Sequence, residues 1–221
     1  MGKLIVIEGL DGSGKSTQLE MLKVRLTEAG FPITAISFPD YESDSSALVK
    51  MYLSGKFGDK PSDVNPYAAS LFYCVDRYAS FKTKWGNDYD SGRAIIAGRY
   101  TTSNAIHQAS KLKESEWRPF LDWLYDIEYE KVGIPKPDLV IFLDMPVEVS
   151  QKLLSGRYHG DEGGKDIHER DIEYLNRCRS AAKFVADYSG YKTVCCAAGN
   201  EPRSPEDISD ELFSLVAEIL R

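Results

Sequence analysis

The chain has no long apolar run. Nothing in its 221 residues approaches the roughly 18 consecutive apolar residues that cross a bilayer. A helical membrane protein is therefore not expected. The first eight residues are too short an apolar stretch for a secretory leader, and they run straight into an acid, Glu8; a strand is expected there. Gly2 stands where N-myristoylation would need it, but Val6 occupies the place of the required Ser or Thr. There is no excess of positive charge: 27 Lys and Arg face 34 Asp and Glu, a net charge of −7. That balance argues against a protein built to grip nucleic-acid backbones, so neither nucleic acid nor membrane is expected as a partner. It leaves room for a local basic pocket around a small phosphorylated ligand. Cysteine is scarce, with Cys74, Cys178, Cys195 and Cys196 forming no C-x-x-C pair. Small core residues in a reducing cytoplasm are expected, with Cys195 and Cys196 in a buried strand. Internal repeats and low-complexity tails are also missing.

What is present reads as one domain over 1–221. Short apolar runs predict strands over 3–8, 34–38, 93–97, 138–143 and 191–196. Helical spacing predicts helices over 16–29, 45–53, 66–83, 103–111, 115–130, 146–154 and 169–188. Gly30 is a stop signal for the first of these. Ser204, with Pro205 after it, caps a last helix. Strand–helix alternation of this kind predicts an α/β fold: a doubly wound, five-stranded parallel sheet flanked by helices. The irregular, glycine-rich and charged segment at about 155–168 is expected to be a lid over phosphates.

The strongest motif is Gly9-Leu10-Asp11-Gly12-Ser13-Gly14-Lys15-Ser16, between a predicted strand and a predicted helix. It matches the pattern that cradles a nucleoside triphosphate. Its glycines let backbone N–H groups converge on phosphate oxygens, and the following helix adds partial positive charge. Gly9, Asp11, Gly12, Ser13, Gly14, Lys15, Ser16 and Thr17 are the expected ATP-binding residues. Lys15 would reach the β- and γ-phosphates, and the Ser16 hydroxyl would ligate Mg²⁺.

A phosphate loop does not say where the phosphoryl group goes. Three further segments bear on that: Phe38-Pro39-Asp40-Tyr41, Leu71-Phe72-Tyr73-Cys74-Val75-Asp76-Arg77, and Gly98-Arg99-Tyr100-Thr101-Thr102-Ser103-Asn104. Together with the opening I-E-G-x-D-G-S-G-K-S-T and the later P-K-P-D-L-V-I-F-L-D, they make the chain resemble the thymidylate kinase family along its whole length. That resemblance implies a P-loop kinase fold, transfer of the γ-phosphoryl group of ATP to dTMP, Mg²⁺ as cofactor and a homodimer.

It also implies roles for single residues. Asp11 would approach the sugar 3′-hydroxyl and the acceptor phosphate. Phe38 and Tyr73 would line the thymine pocket, Arg77 would bond the thymine carbonyl, and Asn104 would read the base edge. Tyr41 and Arg99 would hold the acceptor phosphate, a task that suits the planar fork of arginine. Ser103 and His107 complete the expected substrate site, His107 standing where the family usually has an aromatic residue near the deoxyribose. Phe38 and Tyr73 would also make ordinary core residues, and Arg77 an ordinary helix-surface pair. Some family members carry an arginine in the phosphate loop, where this chain has Gly12. The catalytic cation set is therefore expected to be Lys15 and Arg99 with the lid residues Arg157, Lys165 or Arg170.

One departure stands out. The family's third strand normally ends in an aspartate before the arginine, and here the residue is Gly98. Asp11, or less directly Asp144, would have to help hold the metal. Gly98→Asp is expected to raise turnover at limiting Mg²⁺. Two other functions stay open: another deoxynucleotide or deoxynucleoside kinase, and a nucleotide-binding regulatory protein with weakened catalysis.

Overall fold

The computed structural model describes residues 1–157 and 172–221, with only the backbone described at 154–157 and at 172. Five strands form one parallel sheet: β1 (Leu4–Gly9), β2 (Ile33–Ser37), β3 (Ala94–Gly98), β4 (Leu139–Asp144) and β5 (Lys192–Cys195). Their order across the sheet is β2-β3-β1-β4-β5. The chain leaves β1 to one side, returns to β3, then crosses β1 to reach β4. Ligands of open α/β sheets bind outside the carboxyl ends of the strands at such a reversal. Here those ends are Gly9, Gly98 and Asp144.

The sheet is buried on both faces because its inner strands are almost wholly apolar, with Glu8 of β1 and Asp144 of β4 the exceptions, as parallel strands covered by helices must be. Side chains alternate across the pleat. Ile5 and Ile7 pack with Leu22 and Leu26 of α1 (Lys15–Glu28) and with Leu212 and Val216 of the last helix. Leu4 and Val6 face the other way, towards Trp85, Ile95 and Tyr100. A further cluster joins Phe142 to α5 (Thr101–His107), α6 (Glu114–Tyr125) and α8 (Ile172–Ser189). The remaining helices are α2 (Ala47–Leu53), α3 (Pro66–Ser80), α4 (Gly86–Asp90), α7 (Val147–Arg157) and α9 (Pro205–Leu220).

The predicted boundaries hold to within a few residues, and local chemistry explains them. Gly30 has φ +82 just past the end of α1, a conformation that costs glycine nothing. Ser204 accepts from the Asp207 amide at 3.1 Å at the start of α9. Several details differ from expectation. The predicted helix over 66–83 is α3 followed by a π turn, Phe81–Trp85, and then α4. The predicted helix over 115–130 gives way to a second π turn, Asp126–Lys131. The loop at 197–203 contains a small antiparallel pair, β6 (Ala197–Ala198) and β7 (Glu201–Pro202). Cys195 is exposed rather than buried: β5 is an edge strand, and alternation turns Val194 and Cys196 inward and Cys195 outward. The expected lid at 155–168 lies outside the described residues, apart from the backbone that ends α7.

Lys111, in the turn after α5, donates to the Tyr52 hydroxyl at 2.8 Å and to the Val64 carbonyl at 3.3 Å. Burial pushes its ammonium down to about 7 from the ordinary 10.5. The unfolded chain therefore binds this proton more readily than the folded one, so Lys111 makes stability rise with pH from about 7 towards 10.5. Lys111→Met removes that slope. Urea unfolding should show the variant losing ground against the wild type between about pH 7 and about pH 9; a constant difference would contradict the assignment.

Candidate active site

The phosphate loop follows β1 directly. Gly12 and Gly14 have φ +76 and +86, where a side chain would be strained. A Cβ on Gly9 would come within 2.4 Å of the Ser13 Oγ and 3.1 Å of the Leu143 carbonyl. The loop is thus packed as tightly as its glycines allow. Gly14 caps α1 with no side-chain hydrogen bond, and no acid stands in the first turn. The amides of that turn face a cleft of about 490 Å³ lined by loop residues 11–18, Arg99, Met145, Leu153, Pro202, Arg203, Pro205 and Ile208. An uncapped helix N-terminus at a glycine cradle is an anion site. The Lys15 ammonium donates to the Leu10 carbonyl at 2.6 Å and lies 3.9 Å from the Asp11 carboxylate. Ser16 and Thr17 are exposed to the cleft.

The second half of the site gathers around Arg99. This residue follows β3 with φ +65, the only non-glycine with positive φ among the described residues. Strain of this kind survives where surrounding contacts over-determine it. Here its amide donates to the Ile7 carbonyl at 3.1 Å, and its guanidinium is surrounded by acceptors. Nη2 donates to Asp11. Nη1 donates to the Ser103 hydroxyl at 3.0 Å, lies 3.3 Å from the His107 Nε2, and is 3.6 Å from the Glu8 carboxylate. Burial opposes the charge, but Asp11 and Glu8 more than offset it, with smaller help from Tyr73 and Tyr41, so Arg99 is held above its ordinary value.

Asp11, Tyr41, Tyr73, Arg99, Ser103 and His107 are therefore brought together. The other predicted substrate residues are engaged elsewhere. Phe38 is 5% exposed and packs on Tyr100 in the core. Arg77 is fully buried and pairs with Glu128 through Nε and Nη2, while Nη1 reaches the Tyr100 carbonyl at 3.4 Å. Asn104 donates to the Ser70 carbonyl at 3.2 Å, tying α5 to α3. Asp144, the other acid considered for the metal, is paired with Arg179 at 3.1 Å. Lys165 and Arg170 lie outside the described residues, as does the side chain of Arg157. At Gly98 a Cβ would stand 2.9 Å from Leu19 Cδ2 and 3.3 Å from the Ser37 Oγ. The space an aspartate would need is thus partly filled, and Gly98→Asp requires Leu19 to move first.

Two features escaped the sequence reading. Glu8 is fully buried, and its carboxylate accepts from the Gly9 amide at 2.9 Å, Thr102 at 2.6 Å and Ser103 at 2.8 Å. The signal was there: an acid at the end of an otherwise apolar buried strand demands partners. Glu128, carried inward by the second π turn, holds Arg77. Pro202, at the end of β7, and Arg203, just after it, line the cleft, with Arg203 fixed by the Cys195 carbonyl at 2.6 Å and Glu211 at 2.9 Å.

A parallel sheet in this order, a phosphate cradle, and a charge-balanced arginine facing it across one cleft define a P-loop nucleotide-dependent kinase. A sequence model of the thymidylate kinase family matches residues 7–207. Thymidylate kinase from Mycobacterium tuberculosis is 34% identical over 204 residues, covering 90% of this chain and 93% of its own. Probable thymidylate kinase from Thermococcus gammatolerans is 30% identical over 221 residues, covering 98% and 96%. The solved structure of thymidylate kinase from Candida albicans superimposes with a TM-score of 0.72 at 23% identity, over 98% of this chain and 92% of that one, a likeness of fold. The chain belongs to the thymidylate kinase family, ATP-dependent nucleoside monophosphate kinases.

Glu8 is fully buried, where it orients Ser103 and faces Arg99. Glu8→Gln keeps the shape and removes the charge. Steady-state kinetics should show kcat/KM for the acceptor falling at least about tenfold. An unchanged value would contradict that role.

Proposed function

We infer that this chain transfers the γ-phosphoryl group of ATP to dTMP, giving dTDP and ADP. The observation that carries this reading is the single cleft in which the phosphate cradle and the Arg99 cluster meet at Asp11. Asp11 lies beside Lys15 on the donor side and bonds Arg99 on the acceptor side. In-line phosphoryl transfer needs positioning and charge stabilisation more than a strong base. The α1 amides and Lys15 hold the β- and γ-phosphates. Arg99, with Tyr41 nearby, grips the phosphate of the acceptor, which favours a nucleotide acceptor over a nucleoside. Tyr73 offers the base an aromatic face, a contact every base accepts, so selection of thymine falls to polar groups, with Arg77 and Asn104 the candidates on α3 and α5. Phe38 backs that pocket from the core. Met145, Leu153, Pro202 and Arg203 form the wall that meets adenine.

The residues present fit Mg²⁺. No group of three or more acids, histidines or cysteines is poised for a metal among the described residues, and a hydroxyl, Ser16, faces the cradle. That donor set suits an ion held mainly by phosphates and water. Bound there, Mg²⁺ would neutralise charge on the transferring phosphoryl group. The further cation that Gly12 does not provide falls to Arg157, Lys165 or Arg170 of the lid.

A homodimer is supported by α3. Leu71, Val75 and Tyr78 recur at helical spacing and are 44%, 54% and 41% exposed, an apolar stripe that would be buried against a second copy. The same helix carries Tyr73, so dimerisation would steady the base-facing side of the site. Free cysteines at all four positions suit a reducing compartment such as the cytoplasm.

Incubation with ATP, Mg²⁺ and each common nucleoside monophosphate or nucleoside tests the reaction. Diphosphate formation from dTMP, with weaker use of dUMP, is the expected outcome. ADP release without a phosphorylated acceptor, or binding without turnover, would contradict it. Light scattering tests the assembly: Val75→Glu should shift the mass from dimer to monomer, and a monomeric wild type would refute the α3 interface.

A further inference from the structure

We propose that His107 is a positioning residue for Arg99: a neutral imidazole whose Nε2 accepts from the guanidinium and sets its angle towards the acceptor phosphate. The proposal rests on the reading of Arg99 as the acceptor-phosphate arginine.

A guanidinium has donors and no acceptor. Whatever faces Arg99 Nη1 at 3.3 Å must accept, so His107 Nε2 carries the lone pair. In a neutral ring the proton then sits on Nδ1. Nδ1 points at the Cys178 sulfur, 3.6 Å away, which can accept it. The Cys178 thiol in turn lies 3.2 Å from the Ser110 Oγ, and Ser110 gives its own hydrogen to the His107 carbonyl at 2.9 Å. The Tyr174 hydroxyl donates to the same carbonyl at 2.9 Å. These contacts, taken together, pair donor with acceptor when His107 is neutral and protonated on Nδ1. Burial pushes the Cys178 thiol up to about 12, so it stays a thiol while the enzyme works.

The groups around the ring agree with a neutral form. From β3 comes Arg99, with Asp11 and Glu8 behind it. From α8 come Cys178 and Tyr174, both uncharged. From the turn after α5 comes Ser110, while the Lys111 ammonium is turned away to Tyr52 and Val64. A proton on Nε2 would set donor against donor and place two positive charges side by side in a ring that is 6% exposed.

A neutral acceptor has a clear use at this position. Asp11 and Glu8 already balance the guanidinium. A third carboxylate would cancel its pull on an anionic phosphate, whereas an imidazole fixes direction without spending charge. Gly98, immediately before Arg99, has no side chain with which to help.

Three proteins test this: wild type, His107→Phe, which keeps the ring bulk, and His107→Gln, whose amide oxygen can stand near the place of Nε2. At neutral pH His107→Phe should raise KM for dTMP about tenfold with KM for ATP within about twofold, and His107→Gln should recover most of the loss. A His107→Phe KM within about twofold of wild type, or a His107→Gln variant no better than His107→Phe, would overturn the proposal. Nitrogen-15 histidine spectra, assigned with His107→Gln, provide a readout independent of catalysis. The Nδ1–H tautomer is expected at neutral pH, and an Nε2–H tautomer or an imidazolium would overturn the proposal. If wild type does not turn over dTMP while the Nδ1–H tautomer is present, the functional reading fails and the ring assignment stands.

Discussion

The pairing of Arg99 with two carboxylates, Asp11 from the phosphate loop and Glu8 from the end of β1, is the interaction on which the site depends. A guanidinium taken this far out of water loses hydration that only close partners can replace. Both partners come from the polypeptide that holds the triphosphate. The arginine on β3 is therefore registered against the donor loop on β1, across neighbouring parallel strands with Ile7 opposite Gly98. The left-handed backbone at Arg99 follows from the same demand. The chain must turn sharply as it leaves β3 if the side chain is to point back over β1.

That registration explains how an acidic protein handles two polyanions. The chain has a net charge of −7, yet the cleft carries Lys15, Arg99 and the positive end of α1. Asp11 sits between Lys15 and Arg99 and screens their two positive charges from one another. Behind this layer lies a supporting one: Ser103 links Glu8 to Arg99, and Glu128 fixes Arg77 through the second π turn. Irregular helical turns of this kind commonly carry functional groups, and here one places a buried acid that a regular helix would have rotated away.

Much of this was legible in the sequence, and the limits have physical causes. The loop at Gly9–Ser16 could be read because its glycines answer a local backbone requirement. The strands could be read because parallel burial demands unbroken apolar runs. The gathering of Asp11, Tyr41, Tyr73, Arg99, Ser103 and His107 was expected from resemblance, and the structure shows how they meet. Glu8 was passed over because the partners that make a buried acid tolerable are 94 and 95 residues away in the chain. His107 was expected only as a substrate-site residue beside the deoxyribose, because its contacts to Arg99 and Cys178 are set by neighbours that no spacing rule reveals. Cys195 was assigned inward because an edge strand and an inner one look alike over so short a run. The π turns interrupt helices whose apolar periodicity runs on through them.

The central claim is that the planar fork of Arg99, held by Asp11 and Glu8, binds the phosphate of the acceptor. Calorimetric titration of Arg99→Lys with dTMP and with thymidine tests it most directly, because lysine keeps the charge and loses the fork. Kd for dTMP should rise by at least about tenfold while Kd for thymidine stays within about twofold. Equal loss for both ligands, or no loss for either, would contradict it.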